Sequence, residues 1–291
     1  MKRKFIFLSR AFIAGAIIAF LTSCRDVLKN SEFTSLSQNA IAALSDIKLE
    51  IQNDLNQLRW SLDLAARTLG KHGINGEKTR MALDNLYNAH DDLVDCGTIS
   101  MEGKIQEIGP SEYRSIGGKA LKQMLRDKPK IVEEIKAARP FMSGAFKTGK
   151  GYLAVAMSYP VKNPDGKLLG CVYLLFIPKQ FIEKTVKAEM RRVRANIWVI
   201  QRNGLILYDR DPEEVGLNIL TDDFYKPYIS LRELTKEHIT KSAVGFGNYS
   251  FPSKVEKREV SKIAKWVSVE MFGVSWRIIL NPEDSSMDAM M

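Results

Sequence analysis

The sequence is poor in cysteine and histidine, and beyond its first 22 residues it contains no long apolar run. Three cysteines and three histidines occur in 291 residues, and none of them forms a Cys-x-x-Cys pair. A disulfide-dense scaffold is therefore excluded, and no ligand set for zinc is visible. A multi-span membrane protein is excluded as well, because each span needs about 20 apolar residues. Hydrophobic residues at 45% and charged residues at 26% are typical of a globular protein.

Signatures of catalysis are also missing. No Gly-x-Ser-x-Gly motif occurs, and the three histidines are far apart, so no nucleophile with its base can be named. The segment Gly144–Gly151 approaches a phosphate-binding loop, but no Ser or Thr follows Lys150 and the segment leads into a predicted strand. We therefore predict that the protein is not an enzyme and has no catalytic residue and no cofactor.

One acidic segment has the spacing that begins a calcium-binding loop. Asp209, Asp211 and Glu213 alternate as the first ligands of an EF-hand do, but Glu214 stands where that loop requires glycine. Leu220 also occupies the position of the final ligand. We interpret this segment as a solvated turn and predict no metal site.

The excess of basic residues is concentrated at the N-terminus. Four of the 43 basic residues precede an apolar run from Ala11 to Thr22, and the other 39 exceed the 34 acidic residues by only five. A basic segment, a short apolar run and small residues after it are typical of a secretory signal peptide. As a helix, such a run reaches roughly 18 Å, short of a hydrocarbon core of about 30 Å. We expect export and no nucleic-acid binding; an uncleaved signal anchor is the alternative.

The residues Leu21-Thr22-Ser23-Cys24 resemble the lipobox of bacterial lipoproteins. The resemblance implies removal of residues 1–23 and acylation of Cys24, which would hold the protein on a membrane through several acyl chains. It also implies an extracytoplasmic location in the cell envelope, on the periplasmic side or at the cell surface. Arg25 follows the cysteine and leaves the choice between inner and outer membrane open.

A long amphipathic helix is predicted after a polar tether at residues 24–35. Its apolar positions recur every three or four residues, which places them on one face for the length of the helix. These positions are Leu36, Ala40, Leu44, Ile47, Ile51, Leu55, Leu58, Leu62, Ala65 and Leu69. With a second helix at Glu77–Val94, this part covers residues 36–95. A face roughly 50 Å long favours either a spine packed along two sheets or a coiled-coil dimer.

The rest of the chain has the pattern of antiparallel strands. Turn signals lie at Gly103, Asn163–Gly166, Asn203–Gly204 and Phe272–Gly273, between runs of alternating apolar residues. The segments around the first and third of these turns are similar, and they are separated in the sequence by about the length of a domain, which indicates two similar modules. The predicted fold class is α+β, with a long N-terminal spine helix followed by two antiparallel-sheet modules.

The segment Ile197–Ile219 resembles the membrane-proximal module of double Cache domains, which are PAS-like extracytoplasmic sensors. The segments Ser143–Phe146, Gly151–Pro160 and Phe176–Pro178 are similar to their membrane-distal module. The resemblance implies a small-molecule ligand in the distal module and a signal passed to a protein partner. The modules that it implies are a distal one at 96–193 and a proximal one at 194–281, followed by a tail at 282–291.

The ligand site expected from this resemblance lies on the distal module. Its candidate residues are Tyr113, Arg114, Phe141, Tyr152, Met157 and Tyr173. Amino-acid-binding members of the family also carry a Trp and an Asp there, but no Trp occurs between Trp60 and Trp198 in this chain. We therefore expect a ligand less polar than an amino acid; the alternative is that the apolar and aromatic candidates are ordinary core.

The sequence thus predicts a lipid-anchored small-molecule sensor that signals through an envelope partner. One alternative is a solute-binding lipoprotein that feeds a transporter. Another is a scaffold without a ligand that dimerises through the long helix. Whether Cys96 and Cys171 form a disulfide is left open by the sequence, since two cysteines give no framework pattern.

Overall fold

The computed structural model describes residues 38–110, 133–134, 137–148, 151–191, 193, 195–253 and 258–282. The predicted signal peptide, the lipidation site Cys24, and the candidates Tyr113 and Arg114 lie outside the described residues. No helix among the described residues is long and apolar enough to span a bilayer.

Two helices begin the described chain, and a first antiparallel sheet follows them. The helices are α1 (Gln38–His72) and α2 (Glu77–Asn88). The strands are β1 (Leu93–Ser100), β2 (Ile105–Gly109), β3 (Phe141–Met142), β4 (Phe146–Lys147), β5 (Leu153–Lys162) and β6 (Leu168–Phe176). Their order across the sheet is β2-β1-β6-β5-β3, and β4 also pairs with β5.

Helix α3 (Pro178–Glu189) connects the first sheet to a second antiparallel sheet. The strands of the second sheet are β7 (Ala195–Gln201), β8 (Ile206–Tyr208), β9 (Gly245–Ser253), β10 (Arg258–Met271) and β11 (Val274–Pro282). Their order is β8-β7-β11-β10-β9. A 3₁₀ turn (Asp223–Tyr225), a short helix α4 (Ile229–Leu234) and a π-helical turn (Thr235–Ile239) lie between β8 and β9. The predicted α+β class is confirmed.

The apolar face of α1 is buried along its whole described length. All nine predicted positions from Ala40 to Leu69 are at most 7% exposed, and Leu36 lies outside the described residues. The helix packs against β5 and β6 of the first sheet and against β10 and β11 of the second. One continuous core therefore contains the inner faces of both sheets. Because this face is covered by the chain's own sheets, it is not available for a coiled-coil dimer.

Specific contacts hold α1 near its middle and near its C-terminal end. The side-chain amide of Gln52 donates to the Glu270 carbonyl at 3.1 Å and accepts from the Glu270 amide at 3.0 Å. Near the C-terminal end of α1, a Cβ on Gly70 would lie 2.2 Å from the Lys162 carbonyl oxygen. Only glycine allows the helix to approach the β5–β6 hairpin this closely.

Three aromatic rings pack together where α3 joins the two sheets. The ring centroids of Phe176 and Phe181 are 5.0 Å apart, and each lies 6.4 Å from that of Trp276. Phe176 ends the first sheet, Phe181 lies on α3 and Trp276 lies on the second sheet. The joint between the sheets is therefore a packed core rather than a flexible linker.

The predicted hairpins are present with turn chemistry that matches the sequence signals. In the β5–β6 turn, the Asn163 side-chain oxygen accepts from the Lys167 amide at 2.8 Å, and Gly166 has φ of 82°. In the β10–β11 turn, Phe272 and Gly273 have φ of 48° and 83°. Two consecutive positive φ values are typical of the primed turns that suit the strand twist.

The second helix is shorter than predicted, and the two internal cysteines are not paired. Helix α2 ends at Asn88 and β1 already begins at Leu93, because Leu93 and Val94 join the sheet instead of the helix. Cys96 and Cys171 are both free and buried. Cys96 belongs to the core beneath α1, whereas Cys171 lies on the opposite face of the first sheet. Burial raises the pKa of the Cys171 thiol to about 12, so it stays protonated at neutral pH.

Replacement of Leu55 by alanine tests the shared core. Leu55 is 1% exposed, so Leu55→Ala should lower the free energy of unfolding by about 2–5 kcal/mol through lost burial and a residual cavity. Leu64 lies on the same helix but is 67% exposed, and Leu64→Ala should change it by no more than about 0.5 kcal/mol. Urea unfolding followed by circular dichroism measures both; equal losses would contradict the assignment of the buried face.

Candidate ligand-binding sites

The face of the first sheet that points away from α1 carries three of the predicted ligand residues. Tyr173 belongs to a buried cluster on this face, and Phe141 and Tyr152 pack against that cluster as half-buried side chains. The other cluster members are Ile99, Phe146, Ala154, Ala156, Cys171 and Leu175. We call this surface the first outer face. Its lining is apolar and aromatic, as the sequence predicts for a weakly polar ligand.

Met157 does not lie with the other candidates. Adjacent strand residues point to opposite faces of a sheet, so Ala156 lies on the first outer face whereas Met157 is fully buried in the core beneath α1. The structure therefore brings Phe141, Tyr152 and Tyr173 together and separates Met157 from them.

Tyr173 is the most deeply buried polar group on the first outer face. Its partner across the sheet is Gly97, and a Cβ at that position would lie 2.8 Å from the Tyr173 hydroxyl oxygen. Burial, with a smaller contribution from the nearby Asp95 charge, raises the pKa of Tyr173 well above its usual value. The phenol therefore remains a hydrogen-bond donor throughout the physiological pH range.

The second sheet carries a cavity that the sequence reasoning did not predict. It has a volume of about 190 Å³ and lies between the sheet and the segment that connects β8 to α4. The sheet contributes Asn196, Trp198, Ile206, Tyr249, Lys262 and Asn281. The connecting segment contributes Asp209, Glu214, Phe224, Tyr225 and Tyr228, together with Ile219 and Leu231 of the surrounding core. We call this site the second-sheet cavity.

Aromatic rings form much of the cavity wall. Phe224 and Tyr228 are stacked with centroids 5.9 Å apart and planes inclined by 18°. Tyr225 meets both of them edge-on, at 5.0 and 5.9 Å. Phe224 is 49% exposed, which places it at the rim, whereas Tyr225 is buried. The sequence signal for this wall is the spacing of three aromatic residues within the five positions after Asp223.

Hydrogen bonds fix the sheet side of the cavity. The Trp198 indole nitrogen donates to the Asn281 side-chain oxygen at 2.6 Å, and the Tyr249 hydroxyl donates to the same oxygen at 3.4 Å. The Asn281 amide nitrogen donates to the Ile263 carbonyl at 2.7 Å. These bonds hold the rings of Trp198 and Tyr249 in place, and they engage both the oxygen and the nitrogen of the Asn281 side-chain amide.

Two carboxylates line the cavity from the connecting segment. The Asp209 side chain accepts from the Asp211 amide at 2.9 Å, and the Tyr225 hydroxyl donates to the Glu214 carboxylate. Burial raises the pKa of Asp209 to about 6; the Asp211 amide bond opposes this shift, and the Glu214 and Asp211 charges add to it. The interpretation of this segment as a solvated turn holds for the exposed Asp211 and Glu213. It was wrong for Asp209 and Glu214, which line the cavity.

No cluster of three or more potential metal ligands occurs in the part of the chain that the structure describes. The two cavity carboxylates are instead combined with aromatic rings and with the Lys262 side chain. Such a lining can hold an organic group by charge and by ring contacts.

Comparison with known proteins agrees with this architecture. Residues 53–178, less than half of the chain, match the family described as HK/GC/chemotaxis protein-like, sensor domain. The match covers most of α1, the first sheet and the beginning of α3. The fold is that of Cache-type, PAS-like sensor domains. A comparison with curated protein sequences finds no similar protein.

Solved structures of extracytoplasmic Cache-type domains share this fold. An extracellular ligand-binding receptor from Desulfohalobium retbaense is 23% identical, with a TM-score of 0.65 over 85% of this chain; the match spans only 41% of the receptor chain. The ligand-binding domain of the Pseudomonas aeruginosa amino acid chemoreceptor PctB, in complex with L-Gln, is 14% identical (TM-score 0.57, 88% and 94% coverage). The periplasmic sensory domain of the Campylobacter jejuni chemoreceptor Tlp1 is 9% identical (TM-score 0.57, 86% and 95% coverage).

The raised pKa of Asp209 predicts a pH-dependent stability difference. The pKa of Asp209 is about 6 in the folded protein and ordinarily 3.8, so folding favours the protonated carboxyl. The contribution of this carboxyl to the free energy of unfolding is therefore fully present below pH 3.8 and is lost as the pH rises through 6. Asp209→Asn removes this loss, so at pH 7.5 the variant should exceed the wild type by about 1–3 kcal/mol in unfolding free energy. The difference should shrink towards pH 4.

Chemical unfolding at pH 4, 5.5 and 7.5 measures this effect. Glu213→Gln is the matched control, because Glu213 lies exposed on the same turn and outside the cavity lining. A difference between Asp209→Asn and the wild type that is constant with pH would contradict the assigned titration.

Proposed function

We propose that the protein is a lipid-anchored extracytoplasmic small-molecule sensor with a double Cache domain, which passes ligand occupancy to a protein partner. The fold, the sensor-domain family matched by residues 53–178 and the signal-peptide pattern at the N-terminus support this proposal. The membrane anchor is the acylated Cys24. The proposed modules are the distal one at 96–193 and the proximal one at 194–281.

The observation that carries the proposal is the helix shared by both sheets. Helix α1 buries a single face against both sheets in one core. A ligand that changes the packing of either sheet therefore changes the surroundings of a helix whose described part begins 14 residues after the proposed acylation site Cys24 in the sequence. Signalling then requires that the ligand bind the protein more tightly when α1 is in one pose than when it is in another.

The first outer face is the proposed ligand site of the distal module. Phe141, Tyr152 and Tyr173 lie together there, and Tyr113 and Arg114 complete the proposed set. The similar PctB domain was solved with L-Gln, but the first outer face of this chain is lined by residues such as Cys171 and Leu175. A ligand less polar than an amino acid fits this lining better.

The alternative functions fit the structure less well. A solute-binding protein that delivers cargo usually closes two lobes about a hinge, whereas the two sheets here share one core and an aromatic joint. A scaffold that dimerises through the apolar face of the long helix would need a surface that the chain itself buries. The sensor proposal requires this face of α1 to be buried against the chain's own sheets, as it is in the structure.

A thermal-shift screen tests the sensor proposal. A form of the chain that begins at residue 25, without the acylation site Cys24, is heated with carboxylates, amino acids, amines or purines at millimolar concentration. A ligand at 100 times its Kd adds about 2.7 kcal/mol, which should raise Tm by several degrees for a chain of this size. For a ligand of the first outer face, Tyr152→Leu should at least halve the shift. Tyr159→Leu, on the strand β5 that follows Tyr152 but packed against the core beneath α1, should leave it unchanged. Stabilisation by none of the four classes would contradict the proposal.

Acyl labelling tests the anchor. Cells that express the full chain should incorporate radiolabelled palmitate into the wild type and not into Cys24→Ala, because the thiol of that residue is the acceptor. Cys96→Ala removes a buried cysteine and should retain the label. An unlabelled wild type would favour the signal anchor, whereas a label that persists in Cys24→Ala would contradict Cys24 as the acceptor.

A further inference from the structure

We propose that the second-sheet cavity binds the ammonium group of a small organic cation. This inference rests on the proposed sensor function, to which it adds a second site and a ligand class. It comes from three properties of the cavity, namely its charge, its aromatic lining and its size.

The charge of the lining favours a cationic guest. Asp209 and Glu214 contribute two carboxylates and Lys262 contributes one ammonium group, so the lining carries a net charge of minus one when all three are ionised. The ionised form of Asp209 is disfavoured by burial, with Glu214 and Asp211 adding to the effect. An ammonium group beside these carboxylates would offset that cost, because opposite charges attract strongly in a partly dehydrated site.

The aromatic lining favours the same guest. Five rings line the cavity, those of Trp198, Phe224, Tyr225, Tyr228 and Tyr249. Ring faces attract cations whose centre lies within about 6 Å of the ring centroid. Five rings that line one cavity of about 190 Å³ offer a small cation contact with more than one ring face. The phenol hydroxyls of Tyr225 and Tyr249 are bonded to Glu214 and Asn281, which keeps these two rings in place without a ligand.

The size of the cavity limits the guest to a small molecule. An apolar cavity of about 150 Å³ in a protein core accepts benzene, so about 190 Å³ suits a guest of about six to eight non-hydrogen atoms. The exposed Phe224 at the rim leaves an entry path from solvent. Choline and its uncharged carbon analogue 3,3-dimethylbutan-1-ol both meet this limit and have nearly the same shape.

Replacement of Asp209 can distinguish an effect on ligand binding from an effect on folding. A residue kept for structure alone should destabilise the protein when it is replaced, whereas Asp209→Asn is expected to stabilise the unliganded protein at neutral pH, because it removes a buried charge. A ligand-binding carboxylate should show the opposite effect on affinity. Loss of binding in a variant that folds at least as well as the wild type cannot be attributed to unfolding.

Isothermal titration of the form that begins at residue 25 with the two probes tests the inference. Choline should bind at least tenfold more tightly than 3,3-dimethylbutan-1-ol, because only choline carries the charge. Asp209→Asn should weaken choline binding at least tenfold, and Tyr228→Ala should weaken it as well through the lost ring. Glu213→Gln, on the exposed side of the turn, and Tyr152→Leu, on the first outer face, should bind choline as the wild type does.

Three results would overturn the inference. These are no detectable choline binding at millimolar concentration, equal affinity for the neutral analogue, and choline affinity that depends on Tyr152 but not on Asp209. The last result would leave the sensor proposal standing with its ligand at the first outer face. The sensor proposal fails separately, when no class in the thermal-shift screen stabilises the protein.

Discussion

The burial of one apolar helix face against two sheets is the interaction on which the rest of the structure depends. Neither sheet buries its inner face without α1, because the positions from Ala40 to Leu69 belong to one core with the inner strands of both sheets. The rings of Phe176, Phe181 and Trp276 close this core at the joint. A close-packed core of this kind transmits a displacement rather than absorbing it, which makes the two sheets and the helix one mechanical unit.

The outer faces of the two sheets carry the proposed ligand sites, and they differ in chemistry. The first outer face is apolar and aromatic around Tyr173, whereas the second-sheet cavity combines aromatic rings with two carboxylates. The partly buried Asp209 is unfavourable for folding when ionised. Groups that cost stability while facing a cavity are typical of binding sites, where a ligand supplies the missing interaction. The two faces would therefore recognise different molecules while acting on the same helix.

Much of the fold could be predicted from the sequence, and the second-sheet cavity could not. The three-to-four spacing from Leu36 to Leu69 predicted the helix and its buried face, and dipeptides such as Asn203-Gly204 predicted the hairpins, because both signals are local. The cavity instead joins Asp209 and Tyr228 with Asn281, which are far apart in the sequence, and the pairing of β11 with β7 places Asn281 beside Asn196 of the same lining. Nor does strand alternation say which face meets α1, so Met157 was grouped with Tyr173 although the two lie on opposite faces.

The distance between α1 and the second sheet, measured by electron paramagnetic resonance with and without ligand, tests the central claim most directly. Spin labels at Leu49→Cys on α1 and Val244→Cys beside β9 would sit on exposed positions, and the native Cys96 and Cys171 are buried. With the cavity saturated by choline, the account predicts a shifted or narrowed distance distribution, because ligand occupancy selects one pose of the helix. Superimposable distributions with and without bound choline would contradict it.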